Sequence, residues 1–526
     1  MAKGQEESDD LVVPEDHRKA VPTAPQARGG KEVTASEEVG QLELFRGTAD
    51  SPQGNASGRE PGRPGSASKA VPKPRTTKRK TPLAMSMEEI SDERNLLEAF
   101  AKVASNKGAA GADGESIEQV RVRLPELLPR LGVELRSGTY RPGQIRRVWI
   151  PKAGGGQRGL GIPNVVDRIV QQAVHNVLSP KFEPKFHDGS HGFRPKLSCH
   201  TAITQAKVHL DEGYTWVVDI DLEKFFDRVH HERLLARLQL FGVKDVRVLQ
   251  LVRHLLKAKV LMPDGVLVST DEGTPQGGPL SPLLSNVVLD ELDRELARRG
   301  HRFVRYADDC NIYVRTKRAG DRVMESVTWF IERRLRLKVN QEKSTVARPS
   351  TRHFLGFSLA KPHEKPAYVR LSKRSKERIA RKLVELTPRN WGGPLQKCIE
   401  RVNTYLVGWM AFFHIVDRQE VFGLKVIDSH IRRRLRAIVF RQKKRRSYIV
   451  RWLNKKRRVP LKDAKRDVYG RKRSLWALSK AASAHHAMSS YWFDDQGLLR
   501  LKRLWRKGNQ AIPPLIAPAQ LTLLTD

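Results

Sequence analysis

The strongest constraint on what this chain can fold into is the stretch HRFVRYADDCNIYV, residues 301–314, where two apolar runs flank a turn holding Ala307, Asp308 and Asp309. β-Branched and aromatic runs on either side of a turn-forming pair read as a β-hairpin. A second strand-like run, YTWVVDID at residues 214–221, stays largely apolar until it closes on Asp219 and Asp221. Acid at the end of a buried strand is unusual. Side chains two apart on a strand point to the same side, so Asp219 and Asp221 share a face. Set beside the hairpin, this strand brings carboxylates from two neighbours to one sheet edge.

Such an edge suits phosphoryl transfer to a 3′ hydroxyl, in which one metal ion lowers the pKa of the hydroxyl and a second, ~3.5 to 4 Å away, holds the triphosphate and the leaving oxygen. Magnesium takes oxygen ligands and keeps several waters, so two or three carboxylates on rigid backbone suffice. Asp-Asp alone is also an ordinary turn; its context is what points to metal. The expected catalytic and metal-binding residues are Asp308, Asp309 and one of the strand-end acids, Asp221 or Asp219, with two Mg2+ ions. Charge agrees, since 97 Lys+Arg against 58 Asp+Glu leave a formal +39, as for a chain whose partner is dense in negative charge, nucleic acid first. No run approaches the roughly 18 apolar residues of a membrane span, and the opening MAKGQEESDD lacks the basic flank and apolar stretch of a secretory signal. The expectation is a cytoplasmic protein, nucleoid-associated when on DNA, with no membrane partner. Cys199, Cys310 and Cys398 lie far apart in sequence and support neither a disulfide framework nor a cysteine zinc site.

Residues 1–85 are rich in Gly, Pro, Ser, Ala and charge and are expected to form a disordered tail. Helical spacing begins at Met87, with Leu96, Leu97, Phe100 and Val103 in phase. Residues 145–150, IRRVWI, alternate as a strand before the Gly-rich KAGGGQRGLGIP. There, backbone amides, the Lys152 point charge and the Arg158 fork suit a triphosphate. Helices are expected over 168–178, 282–299 and 321–335, and strands over 265–270 and near 354–357, with Asp227 as the N-cap of a helix that runs to Leu240. In GTPQGGPLS, residues 273–281, Gly277 and Gly278 permit close backbone approach and Gln276 can bond a base or sugar. The remainder is helical and very basic. Between Ile431 and Arg458 stand fourteen Lys or Arg and no acid, interleaved with Phe440, Tyr448 and Trp452, a mixture suited to phosphate contact and base stacking on RNA.

Together these blocks resemble reverse transcriptases. Family members carry a Y-x-D-D hairpin, here YADD, and an upstream strand Asp followed five residues later by an aromatic, here Asp221 and Phe226 in DIDLEKFFD. The same register, with Asp227 six residues on, selects Asp221 and leaves Asp219 as second choice. The resemblance implies that Phe226 lies under the incoming ribose and favours deoxynucleotides. It implies nucleotide contacts from Lys152 and Arg158, in the I-P-K…GG-x-R-x-L-G-I-P block, and from Gln276 in the P-Q-G block. Lys343, in LKVNQEKST, would sit by the pyrophosphate, and Arg194, in HGFRPKLSCHTAI, would touch template or nucleotide; His191 is read as structural. Gly159 departs from the family, which has Pro there.

NKGAAGADG, YRPGQIRRVWIPK, GIPNVVDRIVQQAVHNVL and FLGF extend the likeness to the group II intron-encoded reverse transcriptase/maturase family over residues 90–490. RVNTYLVGWMAFFHIVD and SHIRRRLRAIVFRQKKRR are similar to its thumb or maturase domain, implying intron-RNA contacts from Arg432, Arg433, Arg434, Arg436, Lys443, Lys444, Arg445 and Arg446. Residues 472–508 resemble its DNA-binding region. With no cysteine after Cys398, the expected type lacks the C-terminal His-Asn-His (HNH) endonuclease, and adjacent His485 and His486 are read as structural. The implied fold class is α/β, a right-hand polymerase with fingers and an α+β palm followed by an all-α thumb/maturase domain. Its divisions would be a tail at 1–85, N-terminal extension and fingers at 86–205, palm at 206–360, thumb/maturase at 361–460 and a basic DNA-binding-like region at 461–526. The implied activity is RNA-directed DNA synthesis from dNTPs, with group II intron RNA and target DNA as partners. Two other readings stand beside it: a splicing-only RNA-binding maturase, and a domesticated, retron-like or CRISPR-associated reverse transcriptase.

Overall fold

A computed structural model describes residues 85–151, 156–269, 271–470 and 474–508. The expected tail up to residue 84, and Lys152, lie outside the described residues. The strands in chain order are β1 (Ile145–Pro151), β2 (Gln157–Ile162), β3 (Trp216–Ile220), β4 (Val260–Leu261), β5 (Leu267–Val268), β6 (Arg302–Tyr306), β7 (Asp309–Val314), β8 (Thr345–Ala347), β9 (Phe357–Ala360) and β10 (Tyr368–Leu371). They form a fingers-like sheet in the order β2-β1-β4-β5, a central sheet in the order β6-β7-β3-β8, and the β9–β10 pair.

The central sheet is antiparallel throughout and covered on both faces. Alternation along its strands sends Val218, Ile220, Phe303, Cys310, Ile312 and Val314 into one core with the helices Val165–Phe182, Ser281–Arg298 and Lys317–Phe330. Val217, Val304 and Tyr313 point the other way, toward the helix Cys199–Asp211 and the C-terminal helical core. Because a one-residue slip would exchange these two sets, the register is strongly specified. The helix Leu395–Phe413 centres the second core, burying Ile399, Val402, Leu406, Trp409, Met410 and Phe413 at helical spacing.

Several local expectations change. Phe225–Asp227 is a single 3-10 turn, and the helix begins only at His231, capped by the His230 ring, so Asp227 is not its N-cap. Lys224 in the left-handed region (φ 50) and the bond from Thr274 N to Phe226 O (2.7 Å) hold that turn out of the helix. Of the strand expected over 265–270, Leu267–Val268 form β5, an exposed edge, while residue 270 lies outside the described residues. The strand near 354–357 begins at Phe357, after a left-handed Leu355–Gly356 corner. Leu97, His485 and His486 are exposed. Among the described residues no helix is long and apolar enough to cross a membrane.

Candidate active site

The β6–β7 hairpin pairs Tyr306 with Asp309, leaving Ala307 and Asp308 as a two-residue turn. Ala307 has φ 56, a conformation that costs an L-residue energy and persists only where its surroundings enforce it. Asp309 is thus the first residue of β7 and not a turn residue. Across the sheet Ile220 pairs with Cys310, so the next step of the antiparallel register sets Asp221 level with Asp309, on the face of Val217 and Tyr313. The Asp221 main chain is clamped by Asn340 N on its carbonyl (2.8 Å) and by its own N–H donating to Ser344 Oγ (3.0 Å). Lys343, one residue before Ser344, places Nζ 3.9 Å from Asp221 Oδ2.

Asp308 is half-buried and its carboxyl is pushed up by burial, with Asp221 adding repulsion while a backbone hydrogen bond, Arg158 and Arg305 oppose the shift. Burial thus disfavours the ionised Asp308 carboxylate, and a bound cation would favour it. Asp309 is exposed. Among the described residues no three His, Cys, Asp or Glu side chains are gathered closely enough to cage a metal ion. What stands at the edge is an open set of carboxylates, chemically suited to a hard cation that keeps several waters. Asp219 is occupied differently: Arg352 grips it through Nε at 2.8 Å and a second nitrogen at 2.5 Å, and donates also to the Lys343 carbonyl (3.1 Å).

Beside this edge Arg158 on β2 donates through Nε to Gln276 Oε1 (3.0 Å), joining the two loops singled out in sequence. Gly161 N donates to the Gln276 carbonyl (2.7 Å). Gly277 has φ +126, and a Cβ there would lie 2.5 Å from Gly161 O; at Gly278 it would meet the Gln171 amide at 2.1 Å. The close approach these glycines allow is therefore to protein. Gly277→Ala should lower stability by about 1–3 kcal/mol and raise KM for dNTP, measured by thermal melting and steady-state extension; an unaltered KM would mean that the loop does not set the Arg158 side. Phe226 is buried edge-on against Phe225, with ring centroids 5.2 Å apart.

A buried polar frame missed in sequence supports the YADD turn. Arg305 is fully buried and uses every guanidinium donor: two go to Asp293 (2.7 and 2.6 Å), and one each to Asn286 Oδ1 (3.1 Å), the Ala307 carbonyl (2.8 Å) and Ser190 Oγ (2.6 Å). The HGFRP segment lies alongside, where a Cβ on Gly192 would come 2.2 Å from Ala307 N. Its Arg194, expected as a template or nucleotide contact, is turned into the protein. It is buried, donating to Glu183 (2.9 Å) and to the carbonyls of His187 and Ser190 (2.7 and 2.8 Å), and it braces the loop from within. His191 is structural, bridging Thr201 and Gln205.

The basic cluster divides by burial. Arg434 and Arg436, read in sequence as RNA contacts, are interior: Arg434 bonds Thr387 and Val384, and Arg436 bonds the Met488 carbonyl (3.0 and 2.9 Å). Arg432 and Arg433 are half-buried, with Arg433 stacked 3.8 Å over the Trp476 ring. Lys444 and Arg445 are exposed, Arg446 is half-buried, and Lys443 lies over Tyr448 and Trp452 at 5.8 and 5.2 Å.

Family models match in two places: "Reverse transcriptase (RNA-dependent DNA polymerase)" at residues 150–359 and "Group II intron, maturase-specific domain" at residues 376–459. Similar curated proteins include Protein YkfC of Escherichia coli (36% identical, covering 48% of this chain and 76% of the relative). The group II intron-encoded protein LtrA of Lactococcus lactis is 31% identical over 50% of this chain and 54% of its own length. Nuclear intron maturase 1, mitochondrial, of Arabidopsis thaliana is 28% identical over 28% of this chain and 27% of its own. The chain thus spans three quarters of the first of these relatives but about half or less of the other two.

Proposed function

The chain belongs to the group II intron-encoded reverse transcriptase/maturase family, and we propose that it is an RNA-directed DNA polymerase that also binds its intron RNA to assist splicing and mobility. The observation that carries the polymerase reading is the meeting of Asp221 and the YADD turn with the Arg158–Gln276 pair and Lys343 at one sheet edge. Asp221, Asp308 and Asp309 are the residues that would hold Mg2+, which when bound supplies a more acidic primer hydroxyl and charge neutralisation at the leaving phosphate. The Arg158 guanidinium, oriented by Gln276, supplies positive charge to the triphosphate, and Lys343 adds a mobile positive charge on the Asp221 side. Lys152 is assigned to the same triphosphate. Phe226, held by Phe225, sets the ribose choice.

The test is extension of a DNA primer on an RNA template by the full chain with dNTPs and Mg2+, with chelation as control. No Mg2+-dependent product would sink the reading. Phe226→Ala should raise rNTP over dNTP use by about tenfold or more, as removal of a packed group commonly does to selectivity; an unchanged ratio in competition assays would place Phe226 among core residues only. The splicing role rests on the exposed basic residues of the maturase-like region, Lys444 and Arg445 among them. Intron splicing that survives loss of the carboxylates but fails on neutralising those cations would separate the two roles.

A further inference from the structure

We infer that a cavity in the C-terminal helical half seats one backbone phosphate of the bound intron RNA between Arg389, Arg434 and Arg441, with Trp476 as its wall. This rests on the RNA-binding part of the function proposed above. The cavity, about 190 Å³, opens between the turn at Thr387 and Arg389, the helix Val421–Gln442 and the Ser474–Trp476 segment.

Three guanidinium groups line it, and among the described residues no acid does. Arg434 is only 6% exposed, and its bonds run to neutral oxygens: Thr387 Oγ1 (2.5 Å), the Thr387 carbonyl (2.7 Å) and the Val384 carbonyl (3.3 Å). Neutral acceptors satisfy the N–H groups without cancelling the charge, and a buried charge is costly unless an opposite one comes to it. Arg389 makes matters worse by repulsion, so that burial and then this neighbour hold the Arg434 guanidinium below its usual range. Nothing in folding alone favours gathering like charges around a hollow; an anion arriving there recovers the loss through charge-assisted bonds.

The wall narrows the choice of anion. Arg389 lies 5.5 Å from the Trp476 ring, a cation–π contact that aims its fork, and Ile438 contributes apolar surface. The space takes a phosphate and part of its sugar and is too small for a helix or a duplex. Arg389, Arg434 and Arg441 all fall within the maturase-specific match at 376–459, and the helix that carries two of them leads directly into exposed Lys444 and Arg445. A continuous basic track with one deep socket fits a folded RNA strand whose backbone dips at one point.

Arg389 and Arg441 are exposed, so R389Q/R441Q in the full chain should fold, checked by an unchanged melting temperature. Its intron-RNA affinity should fall about tenfold, and the slope of log affinity against log salt should shrink by about one, the signature of a lost phosphate contact. W476A should also weaken RNA binding. A control pair off the cavity with equal charge removed, R381Q/K397Q, should cost less. The socket is overturned if R389Q/R441Q binds RNA with wild-type affinity and slope, if the control pair loses as much, or if only binding to target duplex DNA suffers. Should the unaltered chain bind no intron RNA, the maturase reading falls with it; RNA binding indifferent to the double change removes the socket alone.

Discussion

Asp308→Asn and Asp221→Asn should each lower single-turnover primer extension on an RNA template by about a thousandfold or more, whereas Asp219→Asn should cost no more than about tenfold. All three changes keep size and shape, so the contrast isolates charge. Asp308 and Asp221 are close enough to repel each other at the turn, where a cation would be held. On the proposed reading, removing either takes away one of three negative ligands. Asp219 lies on the same face of β3 but is already neutralised by Arg352. Its amide would still accept from Arg352, which would keep its hold on the Lys343 carbonyl. Rates measured across a Mg2+ titration check this: Asp219→Asn should need more dNTP at little cost in maximal rate, while the other two should not recover at any Mg2+ concentration. Equal losses at Asp219 and Asp221 would reassign the upstream ligand.

The parts of this site that could be read from the chain are those where one residue type answers one geometric demand. The strand period put Asp219 and Asp221 on one face, and YADD between apolar runs marked the hairpin. Gly277 was legible because φ +126 and a 2.5 Å approach leave only glycine. Charge was harder to place. Arg434 and Arg436 have the same side chain as the exposed Arg445, yet they are buried against carbonyls supplied by segments distant in sequence, and no local pattern reveals such partners; Arg194 is buried against carbonyls of its own loop, His187 and Ser190. Asp227 fitted an N-cap by spacing, but the bond from Thr274 N to Phe226 O, tertiary in origin, delays the helix to His231. Arg305 left one weak trace, a charged residue inside an apolar strand. Asp293 and Asn286, polar positions on the buried face of the Ser281–Arg298 helix, are the other half of that signal.

Arg305→Met should destabilise the protein by about 3–5 kcal/mol, the cost of stranding a buried charge, and should abolish polymerisation even where the chain remains folded. The first effect follows from Asp293, wholly buried and left without its bidentate partner. A second change that removes the stranded acid, Asp293→Leu, should then restore much of the stability, since a buried ion pair exchanged for apolar groups of similar volume is often close to neutral. Activity should not return with it. Arg305 also donates to the Ala307 carbonyl and Ser190 Oγ, and Ala307 sits in a left-handed conformation that its surroundings must enforce. With those bonds gone, the turn carrying Asp308 loses its brace while the core is sound. Melting curves and single-turnover extension of the single and double variants separate the two roles: recovery of melting temperature without recovery of rate identifies Arg305 as the residue that positions Asp308, and parallel recovery of both would reduce it to a stability element.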